Sequence, residues 1–237
     1  MAFPGYSASA VAWLRALPEN NNREWFAANK ETYEREVKMP TVALVTALNE
    51  TLAAEMPEYF QDQPEKTIFR IYRDTRFRKD KTPYKTHVGA VFGRRGMGDK
   101  ASGFYFQISA EGVGIAGGSY MPPSDSLLAI RTKIASSYEE FAGLLKDKKL
   151  RKVMGELQGD ALARPPKGFA PDHPGIDLLK KKQFYFWKEL PPDLLCSRKL
   201  EREILAHFAV MRPVMLFLDD AVLAMRRKAS RAGAFLR

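Results

Sequence analysis

Thr86-His87-Val88-Gly89-Ala90-Val91-Phe92, Gly103-Phe104-Tyr105-Phe106-Gln107-Ile108-Ser109 and Gly112-Val113-Gly114-Ile115-Ala116-Gly117 each alternate at period two, as strands with one buried face do. Only Ala110-Glu111 separates the last two, and so short a connection joins antiparallel neighbours. A further alternating stretch, Thr67-Ile68-Phe69-Arg70-Ile71-Tyr72-Arg73, precedes them. Together the four predict an antiparallel meander. Alternation puts Phe69, Ile71, Val88, Ala90, Phe92 and the apolar residues of the third and fourth stretches on one face. The other face collects Arg70, Tyr72, Lys85, His87, Tyr105 and Gln107 beside Gly112 and Gly114.

On either side of this block the pattern is helical. Ser7 or Ser9 is placed to cap a helix carrying Val11, Trp13, Leu14 and Leu17, which Pro18 ends. Asn20-Asn21-Asn22 offers caps for a second helix through about Lys38, and Pro40 opens a third with Val42, Val45, Leu48 and Leu52. After Pro122-Pro123, Ser124 is expected to cap a helix, and Ser137 with Glu140 to form a capping box. A basic helix over 148–157, a short one over 176–182 and a late strand near 183–187 follow. A long amphipathic helix runs from Ser197 to about Ala229, which Pro213 should kink or divide. There is no βαβ rhythm. The fold class expected is α+β, as one compact domain over 1–237: N-terminal helices in 1–63, the sheet in 64–118, and mainly helix in 119–237.

The chain holds 237 residues, 45% of them hydrophobic and 28% charged. That excludes a wholly disordered chain. No apolar run reaches the roughly 18–20 residues that span a bilayer, so no membrane partner is expected. The N-terminus lacks the basic and apolar regions of a secretory signal, and a cytoplasmic protein is expected. One cysteine, Cys196, excludes an internal disulfide, and its Leu-Leu-Cys context predicts a buried, inert thiol. His87, His173 and His207 stand far apart without a ligand motif, so no transition-metal site is expected. There is no GxSxG elbow, and no GxGxxG sits between a strand and a helix as dinucleotide binding requires.

The net charge is +10, unevenly spread. Residues 1–65 carry 5 basic and 10 acidic side chains, whereas 66–100 carry 11 basic and 3 acidic. A local excess of this kind points to a local anionic ligand more than to a uniformly basic surface. Arg70, Arg73, Arg76, Lys81 and Lys85 would supply charge, Tyr72 and Tyr105 would stack or hydrogen bond, and Gln107 would orient a phosphate-bearing ligand. Ser119, in the glycine-rich turn before the helix at 124, could add a hydroxyl. The same residues would also make an ordinary wet sheet face with cross-strand ion pairs.

Two other readings remain open. Asp74 and Asp80 lie among seven lysines and arginines between Arg70 and Lys85, which would keep them ionised. With His87 they could serve a hydrolase or transferase of phosphorylated substrates as acid–base groups, or hold Mg²⁺, the one cofactor this reading admits. Alternatively, Tyr72, Tyr84 and Tyr105 on or beside a basic sheet could stack nucleic-acid bases, though no recognised RNA-binding signature is present.

Phe69-Arg70-Ile71-Tyr72-Arg73-Asp74-Thr75-Arg76-Phe77 followed by Asp80-Lys81-Thr82-Pro83-Tyr84-Lys85-Thr86 resembles the hallmark of DUF2461, an uncharacterised family of bacterial and fungal proteins. Asn21-Asn22 with Trp25-Phe26 and Tyr33 is similar to its N-terminal signature, and Gly117-Gly118 with Tyr120-Met121-Pro122 to its mid-chain turn. Arg164-Pro165-Pro166-Lys167-Gly168-Phe169 and His173-Pro174 resemble its C-terminal half. The resemblance implies a single α+β domain. It implies no activity and transfers no catalytic residue.

Overall fold

A computed structural model describes residues 3–77, 79–98 and 102–234. The architecture is α+β, and its sheet holds four strands in the order β1-β2-β3-β4, an antiparallel meander. These are β1 (Val88–Gly93), β2 (Gly103–Ser109), β3 (Gly112–Ser119) and β4 (Phe184–Leu190). The late strand expected near 183–187 is therefore the fourth member, beside β3. Val88, Ala90, Phe92, Phe104, Phe106, Ile108, Val113 and Ile115 are buried as alternation assigns them, and β2 alternates cleanly, whereas Gly89 on β1 and Gly112 and Gly114 on β3 are buried on the opposite face too.

Thr67–Arg73 is not one of the four strands. Thr67 ends a 3₁₀ turn (Pro64–Thr67), and the chain after it touches the segment before and within β1 through two isolated antiparallel bridges, Ile68 with Ala90 and Tyr72 with Tyr84. Three residues, 69–71, thus face five, 85–89. A ladder cannot stay in register across that mismatch, and a local bulge re-aims the side chains around it. Phe69 is displaced from the core face that alternation assigns it and is 45% exposed, while Ile71 remains buried.

The chain segregates into two compact units, and the division runs through the strands. The first unit comprises 1–92, 105–115 and 189–206. Its α1 (Ala8–Ala16) is capped by Ser7, whose hydroxyl accepts from the Ala10 N–H. Asn22 caps α2 (Arg23–Ala28) by accepting from the Trp25 N–H at 2.8 Å. The second and third expected helices are nearly continuous. A short α3 (Lys30–Thr32) runs through a π turn (Tyr33–Lys38) into α4 (Met39–Glu55). Pro40 has no N–H to donate, and a wide turn just before it absorbs the interruption. Trp13, Phe26 and Tyr33 pack together with centroid separations of 5.1–5.9 Å. Cys196 ends a 3₁₀ turn (Pro192–Cys196) and is exposed, contrary to the apolar reading of its neighbours. In this turn Leu195 fills the core and the next side chain faces outward.

The second unit comprises 93–104, 116–188 and 207–237. It contains α5 (Ser124–Ser136), α6 (Tyr138–Leu145), α7 (Lys148–Met154), α8 (Ile176–Lys180) and most of α9 (Leu200–Ala234). Two expected caps do not form. Ser124 lies inside α5, whose cap position is Pro123. Ser137 joins α5 to α6 with its own N–H given to Lys133, and its backbone (φ −134°, ψ 43°) lacks the extended geometry of a side-chain cap. Asp147 does cap α7, accepting from the Leu150 N–H. Pro213 lies within α9 without dividing it. The core stacks Phe104 on Phe208 and Phe141 on Phe217 at 4.6 and 4.7 Å. Gly118 has φ +136°, and a Cβ there would stand 2.1 Å from the Phe184 carbonyl oxygen, so strand pairing at this point needs glycine. Among the described residues no helix is long and apolar enough to cross a membrane.

Candidate functional site

The basic run folds into one wall of an open groove of about 890 Å³, entirely within the first unit. The loop 73–83 is closed at its base by the Arg73 N–H, which donates to the Pro83 carbonyl at 2.8 Å. Inside it, each aspartate takes an arginine. Asp74 accepts from Arg76 Nε at 3.0 Å and Nη2 at 2.7 Å, and from the Arg76 backbone N–H at 3.2 Å. These bonds hold the Asp74 carboxyl well below the usual carboxylate range. Asp80 accepts from the Thr82 N–H at 2.9 Å and from Arg73 Nη1 at 2.6 Å, while Arg73 also donates to the Thr82 hydroxyl. The Thr82 amide first, then Arg73, lowers the Asp80 pKa to about 2.

Two cations in the groove are left over. Arg70 is exposed and, among the described residues, makes no ion pair, although its charge helps to lower the Asp74 pKa. Lys85 lines the same groove, donates from Nζ to the Arg70 carbonyl at 3.0 Å, and sits 5.1 Å from the Phe69 ring centroid. Burial first, and the nearby Arg70 charge second, push the Lys85 pKa down. His87 lines the groove as well, its pKa lowered by burial and then by Lys85. The bulged segment 85–89 is what carries Lys85, Thr86 and His87 to this surface.

The aromatic wall is built from a distance in sequence. Tyr84 is buried and stacks on Phe26 of α2, centroids 4.1 Å apart and planes 14° apart. Tyr72, directly opposite Tyr84, leans on it at 5.4 Å and is 52% exposed. In a non-hydrogen-bonded antiparallel pair each residue's own N–H and C=O point away from its partner strand. Those of Tyr84 are met by the Asn21 side chain, which donates to the Tyr84 carbonyl and accepts from its N–H, both at 3.0 Å. Read from sequence, Asn21 is one of three capping candidates. Its real role carries no sequence signal beyond its place in the N-terminal signature.

Of the residues singled out from sequence, Arg70, Tyr72, Arg73, Asp74, Asp80, Lys85 and His87 come together around this groove. Arg76 is spent on Asp74, and the Lys81 ammonium donates to the Thr75 carbonyl at 2.9 Å. Tyr105 and Gln107 stand outside the lining, joined by a hydrogen bond from the Tyr105 hydroxyl to Gln107 Oε1 at 3.0 Å. Burial raises the Tyr105 pKa to about 12. Ser119 is buried at the end of β3, in the second unit. The sequence reading missed Pro18, Asn21, Phe77, Thr82 and Thr86 as groove residues, and named Tyr84 only as a base-stacking tyrosine. Among the described residues no three His, Cys, Asp or Glu side chains gather as metal ligands would.

No curated relative and no solved structure matches the chain. A family model described as "Conserved hypothetical protein (DUF2461)" matches residues 9–217, a span that includes α2, the basic loop and the whole groove. The chain therefore belongs to the DUF2461 family.

Proposed function

We propose that the groove of the first unit binds a small phosphate-bearing anion. The observation that supports this best is the division of labour among its charges. Arg73 and Arg76 are ion-paired with Asp80 and Asp74, whereas Arg70 and Lys85 line the groove without an ion pair among the described residues. Two cations that are not held in ion pairs can form charge-assisted hydrogen bonds to phosphate oxygens. A catalytic reading would ask Asp74 or Asp80 to act as a base or to hold Mg²⁺. Both oxygens of Asp74 are already taken by Arg76, and both of Asp80 by Arg73 and Thr82. Binding without turnover is therefore the reading the geometry favours.

Calorimetric titration with inorganic phosphate at low and moderate salt tests it. The Arg70→Ala/Lys85→Ala double variant is expected to lose about ten- to a hundredfold in affinity, the worth of hydrogen bonds to a charged group. Equal affinity in wild type and in a folded double variant would sink the reading.

A further inference from the structure

The groove holds more than charge. Tyr72 presents a half-exposed ring that is braced from behind. It packs on Tyr84 and Phe26, at 5.4 and 6.2 Å, and those two are stacked on each other. A ring held this way has already lost its rotational freedom, so stacking on it costs little further ordering. Phe77 also lines the groove and is 94% exposed, the most exposed large apolar side chain among the described residues. A phenylalanine left almost wholly in water at the rim of a cationic groove offers a second apolar wall. The volume, about 890 Å³, lies within the range of sites for ligands of several hundred Å³.

We propose that the groove selects an anion that also carries a planar base: a nucleoside phosphate, free or as the unit of a single strand. Tyr72 is the stacking platform, Phe77 adds a second apolar contact, and Arg70 and Lys85 take the phosphate. The proposal rests on the reading of the groove as an anion site and adds the identity of the ligand's other half. Base identity is read only weakly, because the amide and carboxylate groups that line the groove are engaged elsewhere: Asn21 with Tyr84, Asp74 with Arg76, and Asp80 with Arg73 and Thr82. Stacking tolerates any base, since every base has a π-face.

The test compares inorganic phosphate, ribose 5-phosphate, AMP and short oligo(dA) by calorimetry on the full chain. AMP is expected to bind about tenfold tighter than ribose 5-phosphate, the lower part of the range for one base on one aromatic ring. Tyr72→Ala should abolish that difference, and Tyr72→Phe should keep it. Should Tyr72→Ala lower the melting temperature, Phe77→Ala serves instead. At 94% exposure Phe77 contributes little to packing, and its loss should narrow the AMP advantage a few-fold. An oligonucleotide affinity that grows with length and falls with salt assigns the base and phosphate to a strand, and no gain over AMP assigns them to a free nucleotide. Either supports the proposal. AMP and ribose 5-phosphate binding equally well overturns it and leaves the anion reading standing. Absence of binding by all the phosphates overturns that reading and this one together.

Discussion

The side-chain amide of Asn21 pairs with the backbone of Tyr84 through two hydrogen bonds of 3.0 Å, one in each direction, as a neighbouring strand would. It thereby ties the entry of α2 to the segment that bears the groove's buried phenol. The same device recurs where buried Asn49 of α4 donates to the Gln61 carbonyl and accepts from its N–H. In both cases a carboxamide satisfies a backbone that has no strand beside it.

Asn21→Ala should therefore destabilise the protein by about 1–3 kcal/mol, because it leaves a sheltered N–H and C=O unpaired. Urea unfolding followed by tryptophan fluorescence measures this. Asn21→Asp should fall between the two, since the acceptor survives and the donor does not. An unchanged midpoint in Asn21→Ala would show that water replaces the amide without loss.

Gly89 lets β1 approach β2 closely. A Cβ there would lie 2.6 Å from the Phe106 carbonyl oxygen and 3.0 Å from the Tyr105 hydroxyl. Gly89→Ala is expected to cost about 1–3 kcal/mol through overpacking. Gly93→Ala, at the open end of β1 with nothing within 4 Å of the added carbon, should stay within about 0.5 kcal/mol of wild type. Thermal melts of the pair test the contrast, and equal losses would refute it.

The order of the 73–83 loop should depend on acid. The Asp80 pKa is about 2 in the folded loop, against about 3.9 in an unfolded chain. A lowered pKa means that the contribution of Asp80 is complete above the unfolded value. It fades as pH falls from roughly 4 through about 2. Hydrogen-exchange protection of the Thr82 amide, corrected for intrinsic rates, should decline over that window. Asp80→Ala should remove both the protection and its pH dependence. Protection that survives in Asp80→Ala would mean that another acceptor holds the Thr82 N–H.

His87 should behave in the same direction at higher pH. Burial and Lys85 hold its folded pKa below the ordinary 6.5, so the unfolded chain binds the proton first. Stability should then fall as pH drops from about 6.5 toward the folded value, and His87→Gln should flatten that slope. NMR titration of the imidazole should show its pKa rising in Lys85→Met, and rising again when inorganic phosphate is added to the wild type. A His87 pKa indifferent to phosphate would place the anion away from this end of the groove.

Much of the fold is legible in local pattern. The burial of Val88, Ala90 and Phe92, and of Phe104, Phe106 and Ile108, follows from alternation, because successive side chains of a strand must face opposite sides. Ser7 and Asn22 cap their helices as their residue types and positions predict. The basic stretch is equally plain, and seven of the residues singled out there and in the adjoining strand do line one groove.

What the linear pattern could not supply is partnership. Whether 69–71 would face three residues or five depends on where two chain segments meet, and the answer moved Phe69 out of the core and brought Thr86 to the groove beside Lys85 and His87. Which arginines stay free depends on which carboxylates come within reach, so Arg70 and Arg73 look alike in sequence and differ in the folded loop. Tyr84 and Phe26 meet for the same kind of reason. Period and propensity are properties of neighbours along the chain and survive without a structure. Register, charge pairing and ring stacking are settled by distances of a few ångströms between remote residues, and only the packed chain sets those distances.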